Sequence, residues 1–149
     1  MTKDVLVSVR GLQMSEVNNE DSLETISPAS YYKKNGHHYL VYDEVAEGFD
    51  KTTHNIMKFN EDLLDLTKKG LINVHMIFEE EKSNLTSYHT PFGDVMIGID
   101  TDSIQLTEED DHIQLLVDYA LEANYQHLAD CKITVDIKPR EAFFEQENA

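Results

Sequence analysis

The chain has 149 residues, with 29 acidic and 12 basic side chains and a formal net charge of −17. That length predicts one domain, large enough to bury a core without disulfides or a structural metal. So acidic a balance repels polyanions, which argues against nucleic acid and against anionic membrane surfaces. Its ordinary role is a solvated surface that aids solubility; the sharper reading is a docking face for a basic partner. The lone Cys131 precludes an internal disulfide and reads as a small core residue. Lys3, Asp4, Ser8 and Arg10 break the apolar run of Val5, Leu6, Val7 and Val9, so no signal-peptide core fits there. No apolar run is long enough for a membrane helix. The expected address is cytoplasmic.

Along the chain the dominant period is two, the mark of strands with one buried face. Val5, Val7 and Val9 alternate with Ser8 and Arg10. Further on, Ile72, Val74, Met76 and Phe78 oppose Asn73, His75 and Glu79, and Val95, Ile97 and Ile99 oppose Gly98 and Asp100. The clearest case is Ile113, Leu115, Val117, Tyr119 and Leu121; Cys131, Ile133, Val135 and Ile137 repeat it. Between these runs lies turn chemistry. Asn35-Gly36 is the strongest hairpin signal, because Asn-Gly accepts two positive φ values. Glu47–Asp50, Lys69-Gly70, Pro91–Asp94 and the acidic stretch Glu108–Asp111 mark other reversals, and Pro139 is expected to stop the last strand.

These signals predict strands over 4–13, 22–34, 37–46, 52–60, 62–68, 71–79, 84–90, 95–106, 112–123 and 129–138. Asn60 could instead cap a short helix over 60–69. Short connections favour a meander of neighbours, and a meander of eight or more long strands tends to close, because closure removes its edges. The expected fold is therefore all-β: an antiparallel meander closing into a barrel of about eight to ten strands, with a two-sheet sandwich as the alternative. Residues 1–140 form the single domain, and 141–149 are a polar tail.

The order of motifs resembles that of the YwiB-like family, small bacterial proteins with a calycin-like (lipocalin-like) β-barrel. The matching stretches are Tyr31–Glu44 (YYKKNGHHYLVYDE), Thr52–Phe59 (TTHNIMKF), Gly70–Glu80 (GLINVHMIFEE) and Ser87–Thr101 (SYHTPFGDVMIGIDT), followed by the alternation after Asp111. The resemblance spans nearly the whole chain. It implies the barrel and a bacterial, cytoplasmic setting; it carries over no activity and no site. Where the family tends to have a glycine-containing turn before the last strand, this chain has Asn124-Tyr125-Gln126-His127-Leu128.

No nucleophile elbow, Cys/His signature, Walker pattern or dinucleotide fingerprint is present. The seven histidines form no i,i+4 pair and no H-x-H pair; only barrel closure could gather His54, His75 and His89. The acidic stretch from Asp100 fails as an EF-hand, because Gln105 stands where glycine is required, and a strand is expected to run through it. Neither a metal nor a cofactor is expected, and no catalytic residue is assigned.

Six residues are candidates for ligand contact: Tyr42, Glu44, His54, Lys58, Tyr88 and Tyr119. An even register of 37–46 on 52–60, with Val45 opposite Thr53, would gather Tyr42, Glu44, His54 and Lys58 on one face. A slip of one residue would bring Asn55, Met57 and Phe59 to that face instead. Tyr88 and Tyr119 are expected to point inward. A barrel of this size is filled by side chains or holds one small ligand. The leading expectation is a non-enzymatic protein binding a small, partly apolar molecule. The alternative is a filled-core structural or interaction module, homodimeric in one form. An enzyme using Glu44 and His54 as acid and base, with Lys58 as charge stabiliser, comes third.

Overall fold

The computed structural model describes residues 2–11, 24–45, 52–70, 73–90, 93–123 and 126–140, and for 88–90 the backbone alone. Outside these fall the turns predicted at 47–50 and 91–92, the outer ends of several predicted strands, Asn124-Tyr125 in the last hairpin, and the tail 141–149.

Ten strands follow one another: β1 (Asp4–Arg10), β2 (Glu24–Lys34), β3 (His37–Val45), β4 (Thr52–Phe59), β5 (Leu63–Lys69), β6 (Val74–Glu79), β7 (Lys82–Thr90), β8 (Gly93–Glu109), β9 (His112–Ala123) and β10 (Gln126–Pro139). All pairings are antiparallel, in the order β6-β5-β4-β3-β2-β1-β10-β9-β8-β7. The sheet is nearly closed into a barrel. The first and last strands close it by hydrogen bonds, Val5 opposite Pro139 and Val9 opposite Val135. The ladder breaks between two consecutive strands, β6 and β7.

Local chemistry accounts for most of this. Asn35 and Gly36 have φ of 53° and 77°, the two positive values that a hairpin turn matching the strand twist requires. Gly70, at φ +150°, lies where an added Cβ would stand 2.3 Å from the Thr52 carbonyl oxygen, so β5 can end against β4 only with glycine. Asn60 accepts a hydrogen bond on Oδ1 from the Asp62 amide at 2.8 Å, closing a turn. The residues after it enter β5, not a helix, because Leu64 and Leu66 alternate inward with Asp65 outward. The acidic stretch is mostly strand: β8 runs to Glu109, leaving Asp110 and Asp111 as the turn. Bulges interrupt the pairing at Asp102 in β8 and Leu128 in β10; each extra residue bends its strand and sharpens the curvature that closure needs.

The inward side chains form rows across the barrel wall. His38, Phe59, Leu64 and Phe78 make the first row, and Leu40, Met57, Leu66 and Met76 the second. Every member of both rows is buried. On the opposite wall Ile113, Leu115, Val117, Ile133, Val135 and Ile137 complete the core.

At the first row β6 and β7 are joined by Glu80 and Glu81. The Glu80 amide donates to the Asp62 carbonyl (3.3 Å), and the Glu81 amide to that of Thr101 (3.0 Å). From there the two strands diverge. The Thr86 hydroxyl donates to the His75 carbonyl, so a side chain bridges where a ladder bond would otherwise run.

Candidate functional site

The third row is different in kind. Tyr42 on β3 lies opposite Asn55 on β4, Asn55 opposite Lys68 on β5, and Lys68 opposite Val74 on β6. Beyond Tyr42 and Asn55, Glu44 lies opposite Thr53. One end of the barrel thus carries an inward polar cluster, while two apolar rows separate it from the other end. Lys68 Nζ meets Glu44 Oε1 at 2.7 Å, with side chains 11% and 28% exposed. Charges this far from water persist only when paired. Burial pushes the Tyr42 hydroxyl's pKa far up, and the neighbouring Glu44 charge adds to the effect. Tyr42 is therefore a neutral donor and acceptor throughout the physiological range.

Asn55 is fully buried. Its Nδ2 donates to the Thr53 carbonyl at 3.3 Å. That contact assigns the amide orientation, because a carbonyl oxygen can only accept. Asn55 Oδ1 is then an acceptor with no hydrogen-bond partner. A buried polar atom without a partner costs about 1–3 kcal/mol and calls for an explanation such as a bound molecule.

The structure settles the register of β3 on β4. Val45 faces Thr52 and Glu44 faces Thr53, so the pairing is slipped by one residue from the even register considered above. Tyr42 and Glu44 point inward; His54 and Lys58 point outward and are removed from the cluster. His54 Nδ1 sits 2.6 Å from Asp43 Oδ1 on the outer face, and Lys58 Nζ lies 5.9 Å from the Tyr39 ring centroid. An acid/base pair of Glu44 and His54 is therefore dismantled, since the two occupy opposite faces of the sheet.

Tyr119 does point inward, but it belongs to the packed core, its ring edge-on to Phe78 with centroids 4.9 Å apart. Burial raises its pKa strongly, with the adjacent Cys131 contributing. The Tyr88 side chain lies outside the described residues.

Of the histidines that closure could have gathered, His54 and His75 are spent on Asp43 and Asp65, and the His89 side chain lies outside the described residues. Among the described residues no three metal-ligating side chains cluster. No helix among them is long and apolar enough to cross a membrane.

Lys68 was not singled out from sequence, and Asn55 entered only as what a one-residue slip of register would bring inward. A signal for them existed: Met57 and Phe59 bury more apolar surface than Ile56 and Lys58, so their shared face belongs inside, and Asn55 goes with it.

The far end of the barrel is closed by a second network. The Tyr31 hydroxyl lies 2.7 Å from His38 Nδ1. His38 stacks on Phe59 with 4.9 Å between centroids. Its Nε2 lies 3.7 Å from Glu108 Oε1, and Lys33 Nζ meets the same carboxylate at 3.0 Å. Burial, the largest influence, lowers the pKa of His38; Glu108 opposes the shift, while Lys33 and His37 assist it. With a neutral imidazole, the tautomer that fits both contacts accepts from Tyr31 on Nδ1 and carries its proton on Nε2.

The fold is shared with a solved structure, that of the ywiB protein from Bacillus subtilis. The two chains are 19% identical, the match covers 91% of this chain and 89% of that one, and the TM-score is 0.72. At that identity the likeness speaks for the fold alone. No curated protein matches the chain. A family model described as a domain of unknown function, DUF1934, matches residues 7–135, and the chain belongs to that family.

Proposed function

We propose that this protein is a non-enzymatic binding protein that holds one small, partly apolar molecule at the polar end of its barrel. The observation that carries the reading is Asn55 Oδ1, fully buried, fixed in orientation and without a partner. Around it stand Tyr42, Thr53 and the Glu44–Lys68 pair, with the Met57 and Leu66 row beneath. Such a setting is a few fixed polar groups above an apolar floor, the usual build of a small-molecule site. A ligand matching it offers an N–H or O–H donor to Asn55 and an apolar body to the second row. Because twelve of the largest inward side chains are under 2% exposed, the molecule occupies the end of the barrel, not its middle.

The same packing favours the rival reading, a filled-core interaction module. Native mass spectrometry of gently purified protein separates the two. The binding reading expects an adduct that is lost on denaturation, recoverable by organic extraction, and missing from the Asn55→Leu variant. A clean apo mass from wild-type protein would overturn it in favour of the interaction module, and the same spectrum reports any dimer.

A further inference from the structure

The break between β6 and β7 opens a cleft of about 490 Å3 at the polar end of the barrel. Its walls are the end of β5, the start of β6 and the middle of β7, and Lys68, Asn84 and Thr86 are among its lining residues. Inward and outward positions alternate along each of these segments, so the cleft follows the break in the ladder instead of lying on one face. Lys68 belongs to both this cleft and the inward polar row.

The charge of the lining is the reverse of the molecule's. In a chain of net charge −17, the ionisable residues among the described lining of this cleft are Lys68, Lys69 and His75, with no carboxylate beside them in that lining. Lys68 and His75 are each held by an acid from beside the cleft, Glu44 and Asp65, both at 2.7 Å. The Lys69 side chain makes no hydrogen bond or ion pair among the described residues. Asn84 adds an unused donor: its Nδ2 is buried without a partner. Val74, Ile77 and Leu85 supply apolar wall, and Leu85 is 68% exposed.

We infer that the cleft between β6 and β7 receives the anionic headgroup of the ligand, a carboxylate or a phosphate, with Lys69 as its charged partner and the apolar wall along its chain. This rests on the small-molecule reading above and adds the charge class of the molecule. The break in the ladder is its way in, and Lys68 links the headgroup to the inward row. Lys69 stands exposed on the outer face and Asn84 Nδ2 is buried on the inner one, so the two meet different parts of a ligand; a neutral headgroup gains nothing from Lys69, whereas an anion gains a charge-assisted contact.

The test is a pair of probes of equal chain length, octanoate and 1-octanol, titrated into 15N-labelled full chain. The readouts are the Asn84 side-chain amide and the backbone amides of Lys69 and Thr86. Octanoate is expected to shift these signals saturably and to bind about tenfold or more tightly than octanol, as a charge-assisted contact would give. Lys69→Glu, an exposed change that leaves the core intact, is expected to remove most of that preference. Inorganic phosphate distinguishes the headgroups: displacement of octanoate at millimolar phosphate assigns a phosphate, and indifference assigns a carboxylate. Octanol binding as tightly as octanoate would overturn the anion assignment while leaving the small-molecule reading standing. Silence of all three signals with both probes would also overturn it, and the adduct measurement then decides the broader reading independently.

Discussion

The two ends of this barrel are built from the same three strands and solve opposite problems. At the end formed by the start of β3, the end of β4 and the start of β5, His38, Phe59 and Leu64 are buried, and His38 has partners on Tyr31 and Glu108. Two residues of each strand further along, apolar packing continues with Leu40, Met57 and Leu66; two more bring Tyr42, Asn55 and Lys68. There the polar inventory does not close, because Asn55 Oδ1 has no partner. The first end is organised for stability. Each end keeps a buried oxygen without a partner, Thr101 Oγ1 at the first and Asn55 Oδ1 at the second, but at the second it stands beside the Glu44–Lys68 pair in a polar row. Proteins tend to keep costs of that second kind where they bind something.

The largest expected effect tests the stable end. Phe59→Ala removes a fully buried ring that stacks on His38 and should cost about 3–5 kcal/mol in urea unfolding. A loss under 1 kcal/mol would mean that this end is not the anchor of the fold.

At the polar end, Lys68→Ala strands the half-buried Glu44 carboxylate. A loss of about 1–3 kcal/mol is expected, below the range for fully buried pairs because Glu44 still meets solvent. The double variant Glu44→Leu/Lys68→Met should return to within about 1 kcal/mol of wild type, since replacing both partners leaves no charge behind. If the double variant is as unstable as the single, the pair is not what the energetics turn on.

Asn55→Leu sharpens the contrast, because its two effects run in opposite directions. Deleting the unpartnered acceptor is expected to raise stability by up to about 1 kcal/mol while abolishing the adduct. Loss of stability instead would show that Asn55 serves the fold.

The smallest effect concerns pH at the aromatic end. His38 has its pKa lowered from an ordinary value near 6.5, mainly by burial. Below that pH the unfolded chain binds more protons at this site than the folded one. Its contribution is therefore complete above about 6.5 and is lost as pH falls through the lowered folded value. Wild type should lose more stability between pH 7.5 and 5.5 than His38→Gln does, a double difference that cancels the carboxylates common to both. Equal losses would show that Glu108 keeps the imidazole as comfortable charged as neutral.

Much of the fold was legible residue by residue. Val117 and Leu115 against Asp118 and Gln114 could only be a half-buried strand, and Asn35-Gly36 could only be a tight reversal. The break between β6 and β7 was not legible. Val74 to Phe78 alternates as cleanly as any strand that is paired on both sides. Which edge stays open depends on curvature accumulated over the whole sheet, through bulges such as that at Asp102, and no window of sequence contains that sum. For the same reason the cleft along the break could not be foreseen, although Lys69 and Asn84 stand plainly in the chain.

The sequence by itself determined the all-β class, the Asn35-Gly36 turn, and which residues of each strand share a face, because period-two alternation and positive-φ turns are local. Tertiary structure alone decided how neighbouring faces meet. Tyr42 and Glu44 could have joined His54 and Lys58 or Asn55 and Met57 with equal local comfort. The second arrangement buries Met57 and Phe59 and leaves Lys58 in water, where the first would bury a lysine and expose a phenylalanine. Burial is a property of the assembled barrel, and it placed the unpartnered oxygen of Asn55 inside.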